Sequence, residues 1–342
     1  MKLPTLALAA IGAASLAAAG CGGASDVHGA SAATGGGGGD TVSLVAYSTP
    51  QVVYDEIIPA FAATEAGRGV SFKSSYGASG DQSRAVEAGL DADYVTFSLQ
   101  PDLERLVDAG LVDPNWDQTP SDGNVSTSVV VFAVREGNPE NIRTWADLLR
   151  PGVEVVTPNP FTSGGAKWNL LAAYGAASRL GEDPEAGLAY LRELITEHVR
   201  VQDKSAREAL QSFANGVGDV LLAYENEAIT AQKKGEELDY VVPDDTIQIE
   251  NPVAVTKDAP PAARAFLRFA LSEAGQRAFA EWGYRPVDER LLAQAADRFP
   301  TPRNLFTIAD LGGWDKVNAE LFDPERGSVA KIEEEAGVST AR

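Results

Sequence analysis

Four short polar turns hold the residues whose types and spacing could do chemistry: Ser48-Thr49-Pro50, Tyr76-Gly77-Ala78-Ser79-Gly80-Asp81-Gln82, Thr157-Pro158-Asn159-Pro160-Phe161-Thr162-Ser163-Gly164-Gly165 and Asp203-Lys204-Ser205-Ala206-Arg207-Glu208. Each follows a β-rich run and precedes a helical pattern. The first turn of a helix carries backbone N–H groups with no intrahelical acceptor, at the positive end of the helix dipole. Several such ends aimed at one point can hold an anion without any charged side chain. The glycines after serine, in Ser79-Gly80 and Ser163-Gly164-Gly165, let backbone approach a ligand closely because no Cβ intervenes. One Ser-Gly turn alone is an ordinary helix cap. Four in one chain point to anion binding, without identifying the anion.

The elements that must position these turns alternate along the chain. Strands are predicted at 42–47, 69–75, 93–98, 129–135, 153–157, 199–202, 220–224, 238–242 and 252–256. Helices are predicted at 51–63, 81–88, 101–109, 144–149, 165–180, 184–197 and 206–215, and the chain after Pro260 reads as mainly helical. That alternation is the pattern of α/β layering around a mostly parallel sheet. Thr49 is a candidate N-cap with Pro50 at the first helical position. Ser205 and Glu208 have capping-box spacing. No internal repeat of fixed period is present.

Composition narrows the chemistry further. With 44% hydrophobic and 23% charged residues, the chain from Asp40 onward is ordinary globular sequence, long enough for two compact units. A formal charge of −21 argues against nucleic acid, which needs a positive field. It does not exclude a small anion in a closed cleft, because exposed carboxylates are screened within about 10 Å at moderate salt. The two histidines, His28 and His198, are far apart and the single cysteine is Cys21, so no zinc-type ligand cluster is expected, and no cofactor. An acyl-transfer enzyme built on Ser79 or Ser163 is an alternative, since an oxyanion hole uses the same donors. It lacks a base, and neither serine sits in a Gly-x-Ser-x-Gly elbow.

Residues 1–20 read as a secretory signal: Lys2, then a small and apolar stretch ending Ala18-Ala19-Gly20 before Cys21. A cleavage site of this form resembles the bacterial lipobox, in which the cysteine is acylated, although Ala18 stands where leucine is usual. Cys21 has no disulfide partner within the chain. Residues 21–40, rich in Gly, Ala and Ser with five glycines from Gly35 to Gly39, read as a flexible tether.

Several segments carry a family likeness. The stretch from Val155 to Gly175, centred on Ser163-Gly164-Gly165-Ala166-Lys167-Trp168-Asn169, resembles the signature segment of the sulfate and thiosulfate binding proteins of ABC importers. So do the segments Gly77–Val86, Ala92–Leu99, Val131–Pro139 and Gly218–Ala228. The likeness runs from about Val42 to about Trp314, with motifs in the same order.

This resemblance implies a two-lobe type II periplasmic-binding-protein fold, α/β in each lobe, with three chain crossings. Lobe one is expected at 41–127 and 250–342 and lobe two at 128–249, with hinges near Val129–Val134 and Ile247–Val253. It further implies a site in which Ser79 gives its N–H and hydroxyl, Ser163 its hydroxyl, Gly164, Gly165 and Ala206 their N–H groups, and Ser48 the donor of the first turn. Tyr224 stands where the family usually has a tryptophan whose indole contacts the ion, and Arg207 resembles an arginine that braces the site without touching it. The implied ligand is sulfate or thiosulfate; phosphate, molybdate and tungstate are alternatives in the same fold. Phosphate keeps a proton that needs an acceptor, and the only carboxylates in the turns are Asp81 and Asp203. The implied protein is a monomer outside the cytoplasm, held to the membrane only through lipid on Cys21, and its partner is an ABC permease.

Overall fold

The computed structural model describes residues 40–340; the expected signal segment 1–20, Cys21 and all but the last residue of the expected tether lie outside the described residues. Among the described residues ten strands form: β1 (Thr41–Tyr47), β2 (Ser71–Gly77), β3 (Tyr94–Thr96), β4 (Asn124–Arg135), β5 (Val155–Pro158), β6 (Val199–Asp203), β7 (Val220–Tyr224), β8 (Leu238–Val241), β9 (Asp245–Val255) and β10 (Asn304–Phe306). The helices that frame the site are α1 (Gln51–Ala62), α2 (Ser79–Glu87), α3 (Gln100–Asp108), α4 (Gly164–Ala177), α5 (Pro184–Glu193), α6 (Ala206–Ala214) and α7 (Glu225–Lys233). Two more, α8 (Pro261–Ala270) and α9 (Glu273–Glu281), follow β9.

Strand order is β2-β1-β3-β9-β4-β7-β5-β6, with β10 added to β9 and β8 to β4. β1 runs parallel to β2 and β3, and β5 runs parallel to β6 and β7, so a parallel group lies at each end. The long antiparallel pair β4 and β9 joins them. β9 pairs with β3 through Val253–Val255 and with β4 through Gln248–Pro252, while β4 pairs with β7 from Val130 onward. The result is two α/β lobes sharing two crossing strands. One core gathers Leu44, Tyr54, Phe61, Phe266 and Phe279; the other gathers Phe132, Trp168, Leu171, Val220 and Leu222.

The C-terminal segment corrects the expected lobe boundaries. Residues 250–342 were expected with lobe one, yet Phe306, Trp314, Leu321 and Ile332 pack into the second core, because β10 adds to the β9 segment at Asp245–Ile247. The third crossing therefore lies between Arg285, which bridges Thr127, and Asn304. This tail also steadies the binding side. Gln202 Nε2 donates to Glu333 Oε2 at 2.7 Å and Asn159 Nδ2 donates to the Ser339 carbonyl at 2.9 Å, which fixes β6 and the loop leading to α4.

Local differences have physical causes. Thr49 does not cap α1: Pro50 occupies the N-cap without a side-chain bond, and the Thr49 hydroxyl accepts from Tyr284 OH at 3.3 Å. The helix expected at 165–180 stops at Ala177, because Arg179 and Leu180 adopt φ of +53° and +58°. The Ser205 cap forms, its hydroxyl accepting from the Glu208 N–H at 3.3 Å.

Candidate functional site

The C-terminal ends of the parallel strands in both lobes face one another, and the helices that follow start there. A single small cavity of about 10 Å³ lies between them, lined by Ser48 and Thr49, by Gly77, Ala78 and Ser79, by Ser98, by Ser163, Gly164 and Gly165, by Ser205 and Ala206, and by Tyr47, Tyr224 and Glu227. All seven expected ligand residues are thus brought to one point. The space suits a compact ion, not a sugar or a peptide. Other hollows are roomier, such as one of about 620 Å³ beside Trp145, Tyr190 and Pro243, but it lies away from these helix starts.

Position in the helix explains what each residue offers. Ser79, Gly164 and Ala206 are the first residues of α2, α4 and α6, and Gly165 is the second of α4. Their N–H groups have no acceptor within their own helix. Ser163 is the N-cap of α4 but makes no side-chain cap bond, so capping does not occupy its hydroxyl. Asn169, one side-chain row further along α4, donates to Thr157 Oγ1 at 3.1 Å and to the Leu222 carbonyl at 2.8 Å. That pair of bonds fixes the start of α4 against β5 and β7.

Gly164 must be glycine for a steric reason. A Cβ there would lie 2.5 Å from Ser98 Oγ and 2.8 Å from Leu99 Cγ, both in the opposite lobe. At Gly165 the nearest atoms to an added Cβ are 3.5 Å away.

One expected donor is already engaged. The Ser79 hydroxyl donates to Asp102 Oδ2 at 2.6 Å and accepts the Ser98 N–H at 3.0 Å. A hydroxyl has one proton, so Ser79 offers the cavity its backbone N–H only. The expectation that it also gives its hydroxyl is corrected by the buried Asp102, which sequence spacing does not reveal.

Arg207 does not line the cavity. It reaches from α6 across the cleft to donate to the Ser48 carbonyl and, at 2.8 Å, to Gln51 Oε1. An ionic bridge crosses nearby, Lys204 Nζ to Asp81 Oδ2 at 2.9 Å. Burial works against the Asp81 charge, but hydrogen bonds from Lys204 and Arg84 outweigh it and hold the group below the ordinary carboxylate range. Neither Asp81 nor Asp203 lines the cavity.

Glu227 does, and the sequence reading missed it, together with Ser98, Thr49 and Tyr47. Burial pushes its carboxyl up to about 7, opposed by the Tyr224 N–H, which Oε2 accepts at 2.9 Å. It is the only charged residue type among the described lining residues, which include no Lys or Arg. Tyr224 OH lies 2.8 Å from Ser98 Oγ, and burial raises its ionisation well above the usual phenol value, so it stays a neutral hydroxyl. Ser98 could have been found by the rule that found the others, since it too lies in a turn between a strand, β3, and a helix, α3, with Pro101 near the helix start.

Comparison with known proteins gives consistent matches. Residues 42–285 match the family of bacterial extracellular solute-binding proteins. A sulfate-binding protein of Synechococcus elongatus is 44% identical over 296 residues, covering 82% of this chain and 83% of its own. A thiosulfate-binding protein of Pseudomonas aeruginosa is 35% identical over 292 residues, covering 81% of this chain and 88% of its own. Among solved structures, the sulfate-binding protein SubI of Mycobacterium tuberculosis is 50% identical, with a TM-score of 0.81 over 83% of this chain and all of that one.

Proposed function

The chain belongs to the bacterial extracellular solute-binding proteins, and from that premise we propose that it is the sulfate-capturing component of an ABC importer. The observation that carries this reading is the convergence of strand-to-helix turns from both lobes on one small cavity whose described lining has no cationic side chain. A dianion leaving water loses a large hydration energy, which oriented dipoles and hydrogen bonds must replace. Bonds to a charged acceptor are the stronger kind. In this reading Ser48, Ser79, Gly164, Gly165 and Ala206 give backbone N–H groups, and Ser163 and Tyr224 give hydroxyls. Arg207 braces the first turn. The relatives are sulfate- and thiosulfate-binding proteins, and the mechanism is capture by closure of the lobes about β4 and β9, without a chemical step. The closed protein then docks on a permease.

Calorimetry tests the ligand. Sulfate is expected to bind tightly and phosphate much more weakly, since phosphate keeps a proton that needs an acceptor and neither carboxylate of the turns, Asp81 or Asp203, lines the cavity. The one competing acceptor in the wall is the second oxygen of Glu227, whose Oε2 accepts the Tyr224 N–H. Phosphate binding as tightly as sulfate would overturn the reading. Ser163→Ala should weaken sulfate by about 1–3 kcal/mol, and an unchanged affinity would remove Ser163 from the site.

The protein works outside the cytoplasm, as its family does. We place its anchor at Cys21, after removal of residues 1–20, with the Gly-rich segment as a tether. Cell fractionation checks this: wild-type protein should stay with membranes and Cys21→Ala should be released, whereas identical partitioning would discard the anchor.

A further inference from the structure

Ser98, on the cavity wall, is held through its N–H, its carbonyl and its hydroxyl, and nothing in the turn pattern accounts for these bonds. It is 2% exposed. Its N–H donates to Ser79 Oγ at 3.0 Å, and that hydroxyl is in turn tied to Asp102 at 2.6 Å. Its carbonyl accepts the Trp168 indole N–H at 2.7 Å, from a side chain that is fully buried in the other lobe. Gly164 approaches so closely that a Cβ there would meet Ser98 Oγ at 2.5 Å. The partner of the Ser98 hydroxyl is the Tyr224 hydroxyl, 2.8 Å away across the cleft.

Two hydroxyls in contact hold two protons, and one of those lies between them. The other is free for the cavity. Which one is free follows from acidity: the phenol is the stronger acid and so the stronger donor to an anion, while an aliphatic hydroxyl does not titrate in the working range. The favoured arrangement with an oxyanion present has Ser98 donating to the Tyr224 oxygen and Tyr224 donating to the ion.

We propose that Ser98 is a positioning residue for anion capture, one that turns the Tyr224 proton toward the bound ion only when the two lobes meet. It acts through Tyr224 and makes lobe closure and recognition one event. Burial supports this by keeping the phenol protonated. The proposal rests on the sulfate reading above.

A double-mutant cycle tests it on the full-length protein, with sulfate titrated calorimetrically into wild type, Ser98→Ala, Tyr224→Phe and the double variant. Each single variant is expected to lose about tenfold in affinity. The double variant should lose no more than Tyr224→Phe alone, because the serine has no separate path to the ion. Ser98→Cys, which keeps the bulk but donates weakly, should behave as Ser98→Ala does, with ligand-free melting unchanged. Wild-type affinity in Ser98→Ala, or losses that multiply in the double variant, would overturn the proposal while leaving the sulfate reading intact. Wild-type protein that does not bind sulfate would overturn both.

Discussion

Arg285→Ala is expected to lower the unfolding free energy by about 3–5 kcal/mol, the usual cost of removing one partner from a buried ion pair. Arg285 is 5% exposed and Glu225 is fully buried. The guanidinium meets the carboxylate through two bonds, Nε to Oε2 at 2.6 Å and Nη2 to Oε1 at 3.0 Å, and Nη2 also donates to the Pro300 carbonyl at 3.0 Å. Glu225 opens α7 immediately after Tyr224, while Arg285 lies where the chain starts its third crossing. The pair therefore ties the binding side of lobe two to the hinge region.

The expected pH dependence has a definite sign. Burial already raises the Glu225 carboxyl, and Arg285 pulls it back down. Without the arginine the folded-state value rises further above the unfolded one. A carboxyl so raised contributes its stability below its unfolded pKa, near 4.3, and loses it as pH climbs through the folded value. The deficit of Arg285→Ala relative to wild type should thus be larger at pH 8 than at pH 5. Denaturant unfolding at both values measures it. Equal midpoints for the two proteins at pH 8 would refute the assigned role, and Glu225→Gln in the same chain should recover part of the loss at high pH.

Where the sequence was readable, apolar pattern and turn chemistry agreed. The run at Val220–Tyr224 is a strand with the bounds expected of it, because all five residues are buried between β5, which is parallel, and β4, which is antiparallel, and a strand buried on both faces reads as a continuous apolar run. The same pattern failed where polar groups are buried. The part of β9 before Pro252 carries Thr246 and Asn251, each fully buried, with Thr246 donating to the Val130 carbonyl at 2.7 Å and Asn251 accepting from Ser126 at 3.1 Å. Such residues look like loop in a hydrophobicity pattern. The start of α7 was hidden for the same reason, since Glu225, Asn226 and Glu227 are all buried. The candidate site was legible as backbone geometry, because helix starts are written in local sequence. Its side-chain partnerships were not. Asp102 claims the Ser79 hydroxyl from 23 residues away and Ser98 meets Tyr224 across 126, distances at which spacing carries no signal.

Gly164→Ala should leave the protein folded and weaken sulfate by up to about a hundredfold, the roughly 1–3 kcal/mol that overpacking costs. The first helical residue tolerates alanine well, so no loss is expected from the helix itself. The loss arises between lobes. Rotating the Ser98 hydroxyl away would relieve the 2.5 Å contact, but Leu99 Cγ at 2.8 Å and Ser98 Cβ at 3.0 Å would remain. The Ser98 backbone cannot give way easily, since Trp168 and Ser79 hold it from both sides. Packed surfaces of this kind accept an extra methyl only at a cost of about 1–3 kcal/mol, and here separating the lobes avoids the whole of it. An open cleft loses the donors of the opposite lobe together, so the overpacking cost of closing, about 1–3 kcal/mol, sets the loss of affinity. Scattering with and without sulfate separates this from a local defect: wild type should compact on binding and Gly164→Ala should not, with similar melting temperatures for the ligand-free forms. Compaction equal to wild type, at undiminished affinity, would mean that the approach of Gly164 to Ser98 is not what the closed state depends on.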